Sequence, residues 1–490
     1  MALIQISNLS FTYDGNIDPV FENVSFQLDT NWRLGFTGRN GRGKTTFLRL
    51  LMGQLPYSGT ISSPTVFSYF PYAVPNPDKT AIHVVEAVFP DYEYWRLSVE
   101  MQALGLSEEL LYRPFQTLSN GERTKLLLAI LFLKENNFLL IDEPTNHLDL
   151  SGREMVSRYL RTKRGFILVS HDRVFLDGCV DHILSINKTN IEIQKGNFST
   201  WWENKQRQDA FELAQNDRLK KEISRLQETA RKKSEWSDRT EATKIGQHTY
   251  DRGYVGHKAA KMMARSKAIE ARQQRAVEEK STLLKNLERS DSLKIIPLPY
   301  YKKQLLECKA LSIAYSETPL FCPVSFRLEW GDRIALIGPN GCGKTSLLRL
   351  ICGEDVPHCG QLLAGNGLRI SYVPQSAGHL CGTLQDFAEK NGTPLSLLLT
   401  LLSKLDVSRQ ELEKDLGALS EGQKKKVLLA GSICQSAHLC IWDEPLNYID
   451  VISRIQIEQL LLQYRPTILF VEHDLAFCEH IATKSIRLSR

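Results

Sequence analysis

The sequence contains no run of about 18 consecutive apolar residues, the length a membrane-crossing helix needs. The strongest candidate, 126–141, is interrupted by Lys134, Glu135, Asn136 and Asn137. The opening residues, MALIQISNLSF, show no cationic segment followed by an apolar stretch, so a cytoplasmic protein without a secretion signal is expected. Cysteine is scarce in the first half: nine of ten fall from Cys308 onward, and none forms a CxxC pair. That argues against a zinc site or a disulfide framework and leaves reduced, mostly buried fillers. Charge of one sign is not abundant either, since a net +5 over 490 residues is too mild to mark nucleic-acid binding. Hydrophobic residues at 42%, charged residues at 24%, 30 Gly and 19 Pro describe an ordinary globular composition and exclude disordered and collagen-like classes. A chain this long should hold two or three domains.

What the sequence does contain is itself, twice. SNLSFTY near residue 10 returns as KALSIAY near 312, and LGFTGRNGRGKTTFLRLL from Leu34 returns as IALIGPNGCGKTSLLRLI from Ile334. LSNGERTKLLLA from Leu118 returns as LSEGQKKKVLLA, FLLIDEPTNHLD from Phe138 as LCIWDEPLNYID, and ILVSHD from Ile167 as LFVEHD. Spacing follows order. Lys44 to Ser119 and Lys344 to Ser420 are nearly equal separations, and Ser119 to Glu143 equals Ser420 to Glu444. Two copies of one domain follow, and apolar runs such as 138–141 and 166–169 alternating with helical stretches predict α/β units around a buried parallel sheet.

Residues 201–290 differ in kind, with 21 Lys and Arg against 14 Asp and Glu. The whole chain's modest positive charge is concentrated there. Leu219, Ile223, Leu226 and Ala230, then Met262, Ile269, Ala276 and Leu283, repeat at the spacing of helices facing along a narrow seam. An antiparallel hairpin of two long helices is predicted, each reaching well beyond the radius of a flanking domain. Its bend falls at 244–261, where Gly246, Gly253 and Gly256 break helical pattern. Lys244, His248, Tyr250, Arg252, Tyr254, Val255, His257 and Lys258 offer rings and cations suited to single-stranded RNA. A solvated helical linker with an ordinary loop fits the same composition.

The repeated blocks carry chemistry. Gly38, Asn40, Gly41, Gly43, Lys44, Thr45 and Thr46, and again Gly338, Asn340, Gly341, Gly343, Lys344, Thr345 and Ser346, fit the phosphate-loop pattern G-x-x-x-x-G-K-[ST]. Its glycines let backbone N–H groups face phosphate oxygens at a helix N-terminus; the lysine reaches the β- and γ-phosphates, and the threonine hydroxyl ligates magnesium. Apolar strands ending in Asp142–Glu143 and Asp443–Glu444 supply a magnesium-organising carboxylate and a neighbour able to polarise water. His171 and His473 recur at nearly the same distance beyond those pairs, each directly after an apolar strand. Ser119 with Gly121, and Ser420 with Gly422, open helices with residues suited to capping and anion approach. Tyr13 and Tyr315, upstream of each loop, suit stacking on adenine or packing in the core or at a domain edge.

In this order the blocks resemble the ATP-binding cassette superfamily. The resemblance implies two tandem cassettes of the P-loop NTPase fold, an α/β class, occupying 1–203 and 298–490 and joined by a helical linker over 204–297. It further implies a head-to-tail sandwich that hydrolyses two ATP with magnesium. Site one would combine Lys44, Thr45, Asp142, Glu143 and His171 with Ser420 and Gly422. Site two would combine Lys344, Thr345, Gln375, Asp443, Glu444 and His473 with Ser119 and Gly121. Two cassettes in one chain around a charged connector are similar to the ABC-F family, and GRNGRGKTT with RGYVGHKAAKMM is similar to its Lsa group of ribosomal protection proteins. No arm insertion fits, because the stretch from Tyr72 to Leu118 is barely longer than that from Gln375 to Leu419; no long tail is expected after His473. The likeness implies a monomer that binds the bacterial ribosome at the tRNA exit site, close to 23S rRNA and the P-site tRNA, with no membrane partner. It would displace lincosamides, pleuromutilins and streptogramin A compounds.

Three departures stand out. Tyr72 replaces the glutamine that Gln375 retains, Glu122 replaces glutamine in the first signature, and Pro445–Asp450 reads PLNYID rather than PTNHLD. Two competent but unequal sites are expected. A housekeeping translation factor of the same family, the soluble ATPase of a transporter and a nucleotide-gated scaffold are the other readings.

Overall fold

The computed structural model describes residues 3–13, 19–134, 136–145, 148–186, 191–242, 298–315 and 318–489. It divides into two compact units, Met1–Trp201 with Ser292–Arg490, and Trp202–Asp291.

Within the first unit the duplication seen in sequence becomes a duplication of topology. In the first cassette, strands β1 (Leu3–Phe11), β2 (Phe21–Asp29) and β4 (Ser58–Ser62) form an antiparallel sheet in the order β2-β1-β4. A second sheet runs β5-β6-β7-β3-β8-β9, from β3 (Arg33–Thr37), β5 (Val66–Phe70), β6 (Asn137–Asp142), β7 (Phe166–Val169), β8 (His182–Ile186) and β9 (Ile191–Lys195). Only β9 is antiparallel to its neighbour. The second cassette repeats both sheets, with no counterpart of β9 among the described residues. Strands β10 (Gln304–Ile313), β11 (Val324–Glu329) and β13 (His358–Ala364) pair as β11-β10-β13. Strands β12 (Arg333–Ile337), β14 (Ile370–Val373), β15 (Leu439–Asp443), β16 (Ile468–Val471) and β17 (Lys484–Arg487) form a parallel sheet in the order β14-β15-β16-β12-β17.

The parallel strands read as unbroken apolar runs because both of their faces are covered. With side chains alternating at period two, Leu439, Ile441, Leu469 and Val471 pack toward the antiparallel sheet and the phosphate-loop helix Lys344–Ile351. Cys440, Trp442, Ile468 and Phe470 face the helices on the other side. A polar chain inside this core is closed: Trp442 Nε1 and Ser371 Oγ both donate to Ser432 Oγ, each at 2.9 Å. All ten cysteines are free, and Cys322, Cys359 and Cys381 are exposed, so filler describes six buried thiols and not the whole set.

After β9 the chain enters a helix spanning Phe198–Ala242, 45 residues, roughly 68 Å at about 1.5 Å per residue. It begins before the expected linker boundary at residue 204. Asn197 explains the early start: its Oδ1 accepts from Thr200 N at 3.1 Å, and Asp177 Oδ1 accepts from Ser199 N at 2.8 Å. The expected seam side chains from Leu219 to Ala230, the return helix, and the tip residues Lys244, His248, Tyr250, Arg252, Tyr254, Val255, His257 and Lys258 lie outside the described residues.

Candidate ATP sites

Each phosphate loop leaves a buried parallel strand and turns into a helix through a left-handed glycine. Gly43 (φ 90°) caps Lys44–Leu51 and Gly343 (φ 91°) caps Lys344–Ile351. A Cβ at Gly43 would sit 2.5 Å from Val20 Cγ1, so only glycine fits there. Both lysines are buried and curl over their own loops. Lys44 Nζ donates to Gly38 O at 2.7 Å, Arg39 O at 3.2 Å and Asn40 Oδ1 at 3.3 Å; Lys344 Nζ donates to Gly338 O at 2.8 Å and Pro339 O at 2.9 Å. Gly41 and Gly341 sit exposed at the crests of the loops, Asn340 is exposed as well, and Thr45 and Thr345 open the two helices. Upstream, the Tyr13 hydroxyl lies 2.8 Å from Thr46 Oγ1, and Tyr315 Oη donates to Ser346 Oγ at 3.0 Å. Both rings are therefore tied to the phosphate-loop helix, with Tyr315 61% exposed, rather than buried as core.

Below the loops the acidic pairs end β6 and β15. Glu143 (φ 50°) and Glu444 (φ 46°) adopt left-handed backbone, a strained choice for glutamate, and each N–H donates to the adjoining strand, at Val169 O and Val471 O. That turn aims the carboxylates at the histidines: His171 Nε2 lies 3.3 Å from Glu143 Oε1, and His473 Nε2 3.5 Å from Glu444 Oε1. Thr45 Oγ1 donates to Asp142 Oδ2 at 3.1 Å, joining the two groups expected to share a magnesium ion. In the second cassette both Asp443 oxygens are buried without a hydrogen-bond partner, a donor set that a divalent cation would satisfy.

The signature serines are N-caps in both cassettes. Ser420 Oγ accepts from Gln423 N at 3.3 Å, while Gln423 Oε1 accepts from Ser420 N at 3.0 Å. Ser119 has the same box with one addition: its own hydroxyl donates to Glu122 Oε2 at 2.8 Å. Against partial burial, the Ser119 N–H and hydroxyl hold the Glu122 carboxyl below its ordinary range. The substituted glutamate thus occupies a hydroxyl that glutamine leaves free.

Head-to-tail pairing is visible at site one. Asn40 Nδ2 donates to Tyr448 O of the second cassette at 2.7 Å. A Cβ built on the signature glycine Gly422 would sit 2.5 Å from that carbonyl and 3.0 Å from Asn40 Nδ2, so the first phosphate loop and the second signature meet without room for a side chain. Arg153 bridges Asp172 Oδ2 at 2.9 Å and His473 O at 3.1 Å across the cassettes. Gly121, which opens the other signature beside Ser119, is only half-buried, whereas Gly422 is buried.

Around the two glutamates the cassettes diverge. Gln375 Nε2 and Asn447 Nδ2 each donate to Glu444 Oε2 at 2.8 Å. Beneath them Lys425 Nζ donates to Pro374 O at 2.9 Å and Glu444 O at 3.2 Å. Against its burial, His473, Gln375 and Asn447 hold Glu444 down at about 2, while burial pushes Asp443 up to about 6. Tyr72, at the Gln375 position, turns away and donates to Leu127 O at 3.2 Å. Burial, with Asp142 beside it, pushes Glu143 up to about 8; burial also keeps His171 well below its ordinary value, helped by Lys44 and Arg454. Asp142 instead accepts a second bond, from Tyr69 Oη at 3.0 Å.

Sequence reasoning missed Tyr69, Asn447, Lys425, and Asp450 with Lys426, whose buried ion pair measures 3.0 Å. Lys425 could have been found by aligning the helices after the signatures, where Thr124 stands opposite it. The Tyr69 contact has no such signal, since Tyr372 occupies the same strand position.

Residues 21–146 and 321–447, just over half the chain, match the ABC transporter family model. Ribosome protection protein VmlR of Bacillus subtilis (strain 168) is 27% identical over 502 residues, covering 99% of this chain and 87% of that protein. Energy-dependent translational throttle protein EttA of Escherichia coli (strain K12) is 26% identical over 518 residues, covering 95% and 88%. Among solved structures, an RNase-L inhibitor superposes with a TM-score of 0.64 at 19% identity over 99% of this chain and 88% of that one. The archaeal ribosome recycling factor aABCE1, in complex with stalk protein aP1, gives 0.62 at 20% identity over 99% and 87%. These two superpositions speak to the fold alone. With both phosphate loops, both acidic pairs and both signatures in place, the chain belongs to the ABC transporter family as a tandem pair of ATP-hydrolysing cassettes, homologous to VmlR and EttA.

Proposed function

We propose that this chain is an ABC-F ribosomal protection protein of the Lsa-like branch. It would bind the bacterial ribosome at the tRNA exit site with ATP in both sites and protect the peptidyl-transferase centre from lincosamides, pleuromutilins and streptogramin A compounds. The observation that carries this reading is that one chain supplies both faces of an ATP site, Asn40 against Tyr448 and Gly422, and leaves its first cassette through a 45-residue helix. One chain supplying both faces of a site supports action as a monomer, and among the described residues no helix is long and apolar enough to cross a membrane. Similarity to a ribosome protection protein over 99% of the chain supports the same partner.

In each site the phosphate-loop amides and lysine would bind the phosphates, and Tyr13 or Tyr315 the adenine. Magnesium would be held by Thr45 and Asp142 in site one, and by Thr345, Gln375 and Asp443 in site two, where it neutralises phosphate charge. Glu444, ionised and braced, accepts a proton from the attacking water while His473 orients it; Glu143 and His171 are placed for the same task. Closure on ATP and reopening after hydrolysis would shift the population between ribosome-bound and free forms.

Expression in a susceptible Gram-positive host tests the proposal. Wild type should raise the inhibitory concentrations of lincomycin and tiamulin, and Glu143→Gln with Glu444→Gln should not. Replacing 244–257 by a short Gly/Ser turn should preserve hydrolysis and abolish protection. A housekeeping translation factor is the second reading, favoured by the comparable similarity to EttA. It takes the lead if neither drug threshold moves while the double variant stalls growth and cosediments with ribosomes.

A further inference from the structure

The first phosphate loop, GRNGRGKT, carries two arginines where the second, GPNGCGKT, has Pro339 and Cys342. Both arginines leave their own cassette. Arg39 Nη1 and Arg42 Nη2 each lie 3.4 Å from Asp406 Oδ2 of the second cassette, and all three side chains are at most one-third exposed. Asp406 follows the helix Leu395–Lys404 between buried Leu405 and Val407, so its carboxylate is presented from a fixed backbone. That backbone is left-handed, φ 60°, a conformation costly for most side chains and free for glycine. At the equivalent turn of the first cassette, after the helix Tyr94–Ala103, stands Gly105 at φ 66°. The carboxylate is therefore kept where glycine would fold more easily, and it is kept only opposite the loop that has arginines. Both halves of the contact are present at site one, and both are absent at site two.

Asp406 is also wired to the nucleotide side of its own cassette. Lys426 Nζ donates to Leu405 O at 2.7 Å, next to Asp406, and pairs with Asp450 Oδ2 at 3.0 Å. Asp450 lies in the same loop as Tyr448, whose carbonyl accepts from Asn40. Three polar side chains of the first loop, Arg39, Asn40 and Arg42, thus engage one rigid edge of the second cassette.

We propose that Arg39, Arg42 and Asp406 form a clasp that holds site one assembled between turnovers, so that nucleotide is retained there while exchange proceeds at site two. The three are positioning residues: they act through the phosphate loop and not on the reacting atoms. This inference rests on the head-to-tail pairing of the sites and is independent of the ribosomal partner.

The test is release of the fluorescent analogue mant-ATP from the full-length protein, with Lys44→Ala and Lys344→Ala assigning the phase that belongs to each site. Site one should release slowly and site two fast. Asp406→Asn keeps size and left-handed backbone but removes the charge; it should accelerate the site-one phase about five- to thirtyfold and leave the site-two phase in place. Added salt should accelerate site-one release in the wild type and have little effect in Asp406→Asn, a response that a purely structural role would not produce. Asp406→Gly, which copies Gly105 and relieves the backbone, should act like Asp406→Asn while melting no lower than wild type. A site-one phase unchanged or slower in both variants would overturn the clasp and assign the arginines to nucleotide phosphates alone. Absence of mant-ATP binding in the wild type would instead overturn the ATP-site reading, and the clasp with it.

Discussion

Gln375 and Tyr72 follow equivalent strands, at matching positions beyond Tyr372 and Tyr69, and do opposite things. Gln375 reaches Glu444 and, with Asn447 and His473, holds its carboxyl low; Tyr72 reaches a backbone carbonyl in the neighbouring helix and leaves Glu143 to the effects of burial. At the signatures the inequality runs the other way. Among the described residues the Ser420 hydroxyl only accepts, from Gln423 N, whereas the Ser119 hydroxyl also donates to Glu122. One fold, used twice, thus carries two different sets of contacts: the first phosphate loop is bonded to the second cassette, and Glu444 is bonded by two amides where Glu143 has none among the described residues.

The largest effect should come from the glutamates. Glu143→Gln with Glu444→Gln should lower ATP turnover about a hundredfold or more in a phosphate-release assay. Glu444→Gln alone should account for most of that loss and Glu143→Gln alone for little; equal single losses would break the comparison. Next in size is stability. Against burial, Lys426 and the Ser453 N–H hold the Asp450 carboxyl well below its ordinary range. Asp450→Asn should cost about 3 kcal/mol or more by leaving a buried ammonium without its counter-charge, whereas Asp149→Ala should cost about 1 kcal/mol as a lost cap, both read by denaturant unfolding. Because the Asp450 value is depressed on folding, its contribution is present above the unfolded carboxylate range and fades as pH falls through the folded value.

A third effect separates the sites by pH. With Glu444→Gln leaving site one to work, turnover should rise from pH 7 to 9 as Glu143, raised to about 8, loses its proton; with Glu143→Gln leaving site two, it should be flat over that range. Tyr72→Gln should flatten the first profile and raise site-one turnover about tenfold at neutral pH. Smallest of all, Glu122→Gln should tighten mant-ATP binding at site two by only a few-fold, since it frees one hydroxyl at a largely exposed position.

Much of the fold was legible from the repeat. Apolar runs at 138–141 and 166–169 became central parallel strands because a strand buried on both faces has no reason to alternate. The phosphate loops, acidic pairs and signature caps were legible because each depends on residues a few positions apart. The early start of the long helix was not: Asn197 caps it from the preceding turn, but Asp177 does so from a separate helix, Arg173–Cys179, that only folding brings alongside.

The amino-acid sequence by itself determined that two cassettes exist, where their phosphate loops, carboxylates and signatures lie, and that Tyr72 and Glu122 depart from the pattern. Only the tertiary structure decided what those departures do. Whether a buried glutamate is ionised depends on which donors a distant loop brings within hydrogen-bonding reach, and the two arginines of the first phosphate loop find their carboxylate, Asp406, in the other cassette. Local chemistry is set by neighbours in the chain; electrostatic balance is set by neighbours in space, because burial and charge act over distances that only folding establishes.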